Sequence, residues 1–121
     1  MDCIFCKIIS GEIPSNKIYE DNNVITFLDI HPDSNGHTLI VPKKHITDIY
    51  DIDDQTLLYI NESIKMVSKL LKDKLYFDGF TVIQNNGDIQ DIKHYHVHIK
   101  PFYKIEQDIL NVKEIYEKIM N

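Results

Sequence analysis

The chain has 121 residues, 43% of them apolar and 26% charged, and a formal net charge of −6. That length supports one domain with a single buried core, and the composition excludes a disordered chain. The acidic balance, with no concentrated basic patch, excludes a protein that works by gripping a nucleic-acid backbone, but leaves room for a small phosphorylated ligand.

Cys3 to Ser10 (CIFCKIIS) carries apolar residues at helical spacing and stops at Gly11, which predicts a short helix. Val24 to Leu28 is a β-rich run ending at Asp29-Ile30-His31-Pro32. Asp33-Ser34-Asn35-Gly36 is turn chemistry, and His37 to Val41, closed by Pro42, is a second strand, so the two runs predict an antiparallel pair. Asp53 is placed to cap a helix over roughly Asp54 to Lys74, with Leu57, Ile60, Ile64, Val67 and Leu71 as its core stripe. Phe80 to Gln84 reads as a third strand, Asn85 to Asp88 as a turn, and His94 to Lys100 as a further strand. Ile109, Val112, Ile115, Tyr116 and Ile119 mark a C-terminal helix. Together these elements predict one α+β domain over 1–121, an antiparallel sheet with helices packed on it.

No apolar run approaches a membrane span, and the start Met1-Asp2-Cys3 lacks the basic and apolar segments of a secretory leader. The expectation is a cytoplasmic protein with no membrane or nucleic-acid partner. There Cys3 and Cys6 stay reduced or hold a metal.

His94-Tyr95-His96-Val97-His98 concentrates the chemistry. Side chains alternate along a strand, so three imidazoles line one face, about 6.6 Å from one to the next, with Tyr95, Val97 and Ile99 behind. Histidine suits metal ligation, proton transfer and attack on phosphorus, so the cluster reads either as a metal site or as a catalytic group. Cys3-x-x-Cys6 is by spacing a zinc half-site, a redox pair, a disulfide or two small core residues.

HYHVHIK follows the pattern His-φ-His-φ-His-φ-φ, φ being apolar, with Lys100 in the final apolar place. CIFCKIISGEIP, YEDNNVITFLDIHP, GHTLIVPKKH and QNNG accompany it. In this order and spacing the chain resembles the nucleotide-binding branch of the histidine-triad (HIT) family over nearly its whole length. The resemblance implies an α+β homodimer that binds a purine nucleotide and cleaves a bond at its α-phosphorus. His96 is then the nucleophile, forming a nucleotidyl-histidine that water hydrolyses. His98 stabilises charge on the phosphate or leaving group, with some general-acid assistance, and Gln90 contacts the phosphate or bridging atom. Asp29 takes the ribose hydroxyls and Asn85 lies near phosphate or ribose. Phe5, Ile8, Ile13, Phe27 and Ile30 form the apolar slot for the base. A structural zinc site is implied at Cys3, Cys6, His45 and His94.

The implied activity is hydrolysis of adenosine 5′-phosphoramidate. The alternatives are a dinucleoside polyphosphate hydrolase and a non-catalytic nucleotide-binding or scaffolding protein. The loop from Gly87 to Gln90 is shorter than is common, Lys93 replaces a frequent apolar residue, and Phe102 stands where arginine often follows the proline.

Overall fold

The computed structural model describes residues 3–121. In chain order it comprises α1 (Ile4–Ile9), β1 (Lys17–Glu20), β2 (Val24–Leu28), β3 (Thr38–Pro42), α2 (Asp54–Leu75), β4 (Gly79–Gln84), a 3₁₀ turn (Gly87–Ile89), β5 (Val97–Phe102) and α3 (Val112–Met120). The five strands form one antiparallel sheet in the order β1-β2-β3-β5-β4. The expected α+β architecture and the β2–β3 pair are therefore present. β1 was not expected: its KIYE sequence is short, and only Ile18 is buried. A register shift between Lys17 and Tyr19 further blurs its alternation.

The pleat sorts the apolar side chains into two layers. Val24, Leu28, Ile40, Val97 and Ile99 face α2 and α3, where they meet Ile60, Val67, Leu71, Ile115 and Ile119. Ile25, Phe27, Leu39 and Val41 face the other way, under Cys3 and Phe5 of the N-terminal segment. β2 and β3 are buried at every position, because helices cover both of their faces. Ile25, Ile40 and Ile99 are wholly buried, each contributing roughly 2 kcal/mol of transfer free energy.

α2 starts where its cap predicts. The Asp53 carboxylate accepts from the Thr56 amide (3.1 Å) and hydroxyl (2.7 Å). The helix ends at Tyr76, which adopts a left-handed conformation (φ 55°) and donates its N–H to Lys72 O. α3 begins at Val112, capped by the Asn111 side chain on the Lys113 amide, so Ile109 lies before it and is exposed.

The turn after β2 is held from behind. Buried Asn35 donates to Asp108 O (2.9 Å) and Gln107 Oε1 (3.2 Å), and its Oδ1 accepts from the Leu110 amide (2.8 Å). Its carbonyl accepts from the Tyr103 hydroxyl (2.7 Å). Gly36 follows with φ +93°, and a Cβ there would lie 2.5 Å from Leu75 Cδ1.

Candidate active site

The histidine run divides as alternation requires. Tyr95, Val97 and Ile99 enter the helix-side core. His94, His96 and His98 turn to the α1 side, where the Phe5 ring meets His96 and His94 edge-on at centroid distances of 4.9 and 5.9 Å. The ladder itself begins only at Val97. Upstream, the Tyr95 amide donates to Ile46 O (2.6 Å) rather than to β3. β3 ends at Pro42, which has no N–H and whose carbonyl is taken by His94 Nε2 (2.8 Å). His96 and His98 ring centroids are 5.0 Å apart.

Hydrogen bonds fix the tautomer of each ring. His96 Nδ1 lies 2.7 Å from the His94 carbonyl, which only accepts, so Nδ1 carries the hydrogen. In the neutral ring Nε2 keeps its lone pair, and it has no protein partner among the described residues. His94 donates from Nε2 to Pro42 O, so its Nδ1 is free to accept.

His37 received no role from the sequence, yet it joins the cluster. Leu39 pairs with His98 across β3 and β5, which brings His37, two residues earlier on the same face, against His98. The Asp33 amide donates to His37 Nδ1 (3.0 Å). His37 must therefore hold its hydrogen on Nε2 and donate it to His98 Nδ1, 2.9 Å away. Asp29 Oδ2 lies 3.5 Å from the same Nε2. The only free hydrogen on His98 is then Nε2–H, a neutral donor beside His96. Burial lowers the His37 pKa, opposed by Asp29. Burial, followed by the neighbouring His96, His37 and Lys100, pushes His98 down to about 4. The register of two strands distant in sequence makes this contact, so only a sheet alignment could have revealed it.

These side chains border a cavity of about 450 Å³. Phe5, Ile8, Ile13, Phe27 and Ile30 line it, as do Asp29, Asn85, His96 and His98. The Asp29 carboxylate also accepts from the His31 amide (2.8 Å). Gln90 is not brought to the cavity. It is buried, and its Nε2 donates to Thr47 O (2.6 Å), while its Oε1 has no partner among the described residues. The bond ties the Gly87–Gln90 loop to the segment after His45.

Cys3 Sγ, Cys6 Sγ, His45 Nδ1 and His94 Nδ1 form a second cluster, all within 4.8 Å of one another. Cys3–His94, Cys6–His45 and Cys6–His94 are separated by 3.4, 3.2 and 3.6 Å. A tetrahedral zinc site has sulfur–nitrogen edges of roughly 3.5 Å. Two thiols and two imidazoles, with the His94 tautomer already set by Pro42, fit such an ion. Asp29, His37 and His98 also converge, but the Asp33 amide and the neutral ring leave His37 no free lone pair for a metal.

Residues 10–105 match the HIT domain family model. The chain belongs to the HIT family. It is 44% identical over 115 residues to an uncharacterized HIT-like protein of Methanocaldococcus jannaschii, covering 93% of this chain and 88% of that one. It is 41% identical over 103 residues to adenosine 5′-monophosphoramidase of Schizosaccharomyces pombe, covering 84% and 74%. A Zn-bound histidine triad family protein from Mycobacterium smegmatis shares the fold with a TM-score of 0.86 and 29% identity, over 99% of this chain and 94% of that one. Among the described residues, no helix of this HIT protein is long and apolar enough to cross a membrane.

Proposed function

We propose that this HIT protein is a single-domain hydrolase of nucleoside 5′-phosphoramidates, acting at the α-phosphorus through a covalent intermediate on His96. The observation that carries the proposal is the His96 ring: Nδ1 is tied to the His94 carbonyl, and Nε2 is left as the free nitrogen of a ring lining the cavity. The adenosine 5′-monophosphoramidase relative, at 41% identity, supports the same reading.

In the proposed reaction the Nε2 lone pair attacks phosphorus, the P–N bond breaks, and its electron pair leaves on the amine, which takes a proton from solvent. Water then attacks phosphorus, the Nε2–P bond breaks, and AMP and a proton are released. His98 donates Nε2–H to a phosphate oxygen and stabilises the charge that develops there. Asp29 accepts the ribose hydroxyls, Asn85 contacts the phosphate end, and the Phe5, Ile8, Ile13, Phe27 and Ile30 wall holds the base. Gln90 acts from behind by holding its loop to Thr47.

Zinc at Cys3, Cys6, His45 and His94 is structural in this reading, since four protein ligands leave no open position. It ties the N-terminal helix to the catalytic strand. Homodimerisation is proposed through β4, an edge strand that leaves Phe80 and Val82 40% and 48% exposed.

The test is AMP release from adenosine 5′-phosphoramidate by the native protein and by His96→Ala. Release that depends on His96, with a trapped nucleotidyl-protein in the native enzyme alone, is expected. Equal release by both proteins overturns the covalent mechanism. AMP binding without turnover moves the assignment to a nucleotide-binding protein.

A further inference from the structure

Lys100 lies two residues beyond His98, and neither the catalytic cluster nor the metal site uses that lysine. β5 alternates between the helix-side core and the cavity, and Lys100 falls on the cavity side with His96 and His98. Asp29, Asp33 and Asp91 line the same cavity, and Lys100 is the one lysine or arginine among its described lining residues. Its Nζ lies 2.7 Å from Asp33 Oδ2, with the two side chains 29% and 64% exposed.

The position of Lys100 along the floor is defined. Asn85 follows Gln84, which pairs with Val97, so the asparagine lies at the His96 end. Lys100 lies two residues beyond His98 in the opposite direction. Asp33, its partner, sits in the turn between Asp29 and His37 and donates its amide to His37. Lys100 thus belongs to the Asp29 end of the cavity, away from the phosphate end marked by His96 and Asn85.

We propose that Lys100 forms a subsite for a second phosphate carried on the ribose of the nucleotide, so that the cavity prefers a ribose-phosphorylated nucleoside 5′-phosphate over the simple 5′-phosphate. The proposal rests on the functional reading above, which puts the ribose on Asp29. A phosphate on the 2′ or 3′ oxygen then leaves the other hydroxyl to donate to Asp29, extends towards Lys100 and replaces Asp33 as its partner. The exchange gives up an exposed ion pair, which contributes little, and one hydroxyl hydrogen bond to Asp29. It gains a charge-assisted hydrogen bond to a dianion beside the half-buried lysine stem. Without Lys100 that phosphate would face only the carboxylates of Asp29 and Asp33.

The test is calorimetric binding of AMP, adenosine 3′,5′-bisphosphate, adenosine 2′,5′-bisphosphate and ADP to the native protein and to Lys100→Met, which keeps the apolar stem. One of the ribose bisphosphates is expected to bind about tenfold more tightly than AMP to the native protein. That preference should shrink as salt is raised and vanish in Lys100→Met. No preference for either bisphosphate, or one that survives in Lys100→Met, overturns the subsite. A Lys100-dependent preference for ADP also overturns it, because the second phosphate is then read on the chain and not on the ribose. If the native protein does not bind AMP at all, it is the functional reading that fails.

Discussion

Replacing Asn35 with alanine removes the clamp behind the turn between β2 and β3, and the structure allows its effect to be worked out. Asn35 is 6% exposed, and its side chain makes three hydrogen bonds. The bond to Gln107 is the longest and ends on an exposed side chain, so it contributes little. The two bonds to main-chain groups of Asp108 and Leu110 contribute about 1 kcal/mol each. Asn35→Ala should therefore lower stability by about 2 kcal/mol, read in urea as an earlier midpoint with an unchanged slope. Asn35→Asp keeps an acceptor for the Leu110 amide but sets a carboxylate against the Asp108 carbonyl, and should lose at least as much. A loss below about 0.5 kcal/mol in both variants would refute the clamp, since solvent would then be satisfying these groups equally well.

Gly36→Ala should destabilise the fold by about 2 kcal/mol in the same assay, because φ is +93° and the new Cβ meets Leu75. Stability should also fall as the pH is lowered. The folded His98 pKa, about 4, lies below its unfolded value, so its contribution is complete above roughly pH 6.5, weakens below that and is lost as pH passes through 4; the lowered His37 acts in the same direction. Thermal melts from pH 8 to pH 4 should show this fall, and His98→Asn should reduce its slope. Cys6→Ser should abolish bound zinc by elemental analysis and lower the Tm by roughly 10 °C, whereas equal metal content in the native protein and the variant would remove the site.

The fold was legible where one face of an element has a single environment. The α2 stripe from Leu57 to Leu71 and its Asp53 cap state both the helix and its start. The runs around Phe27 and Leu39 are β-rich between clear turn signals. β1 was hidden because four residues with a single buried side chain carry no usable period. Of the candidate site, alternation in HYHVH shows that three imidazoles share a face. It cannot show that His37 faces His98, which depends on how β3 and β5 align. It also cannot show that Gln90 turns inward, which depends on the shape of a short loop and an acceptor at Thr47, 43 residues earlier.

The pleat of β5 also acts as a reading frame. The imidazoles that lead into it and along it are separated by single residues that belong to the opposite layer, so the distance between two functional groups is counted in pairs. Inserting one residue between His96 and His98 would turn everything beyond it over: His98 and Lys100 would enter the apolar layer, and Val97 or Ile99 would face the cavity. Inserting two would keep the faces but part His98 from His37. A point substitution therefore leaves every other side chain of this strand on its own face, while a change in length does not. A lineage carrying this site can alter its chemistry by exchange at fixed positions, and its loops must absorb every change in length.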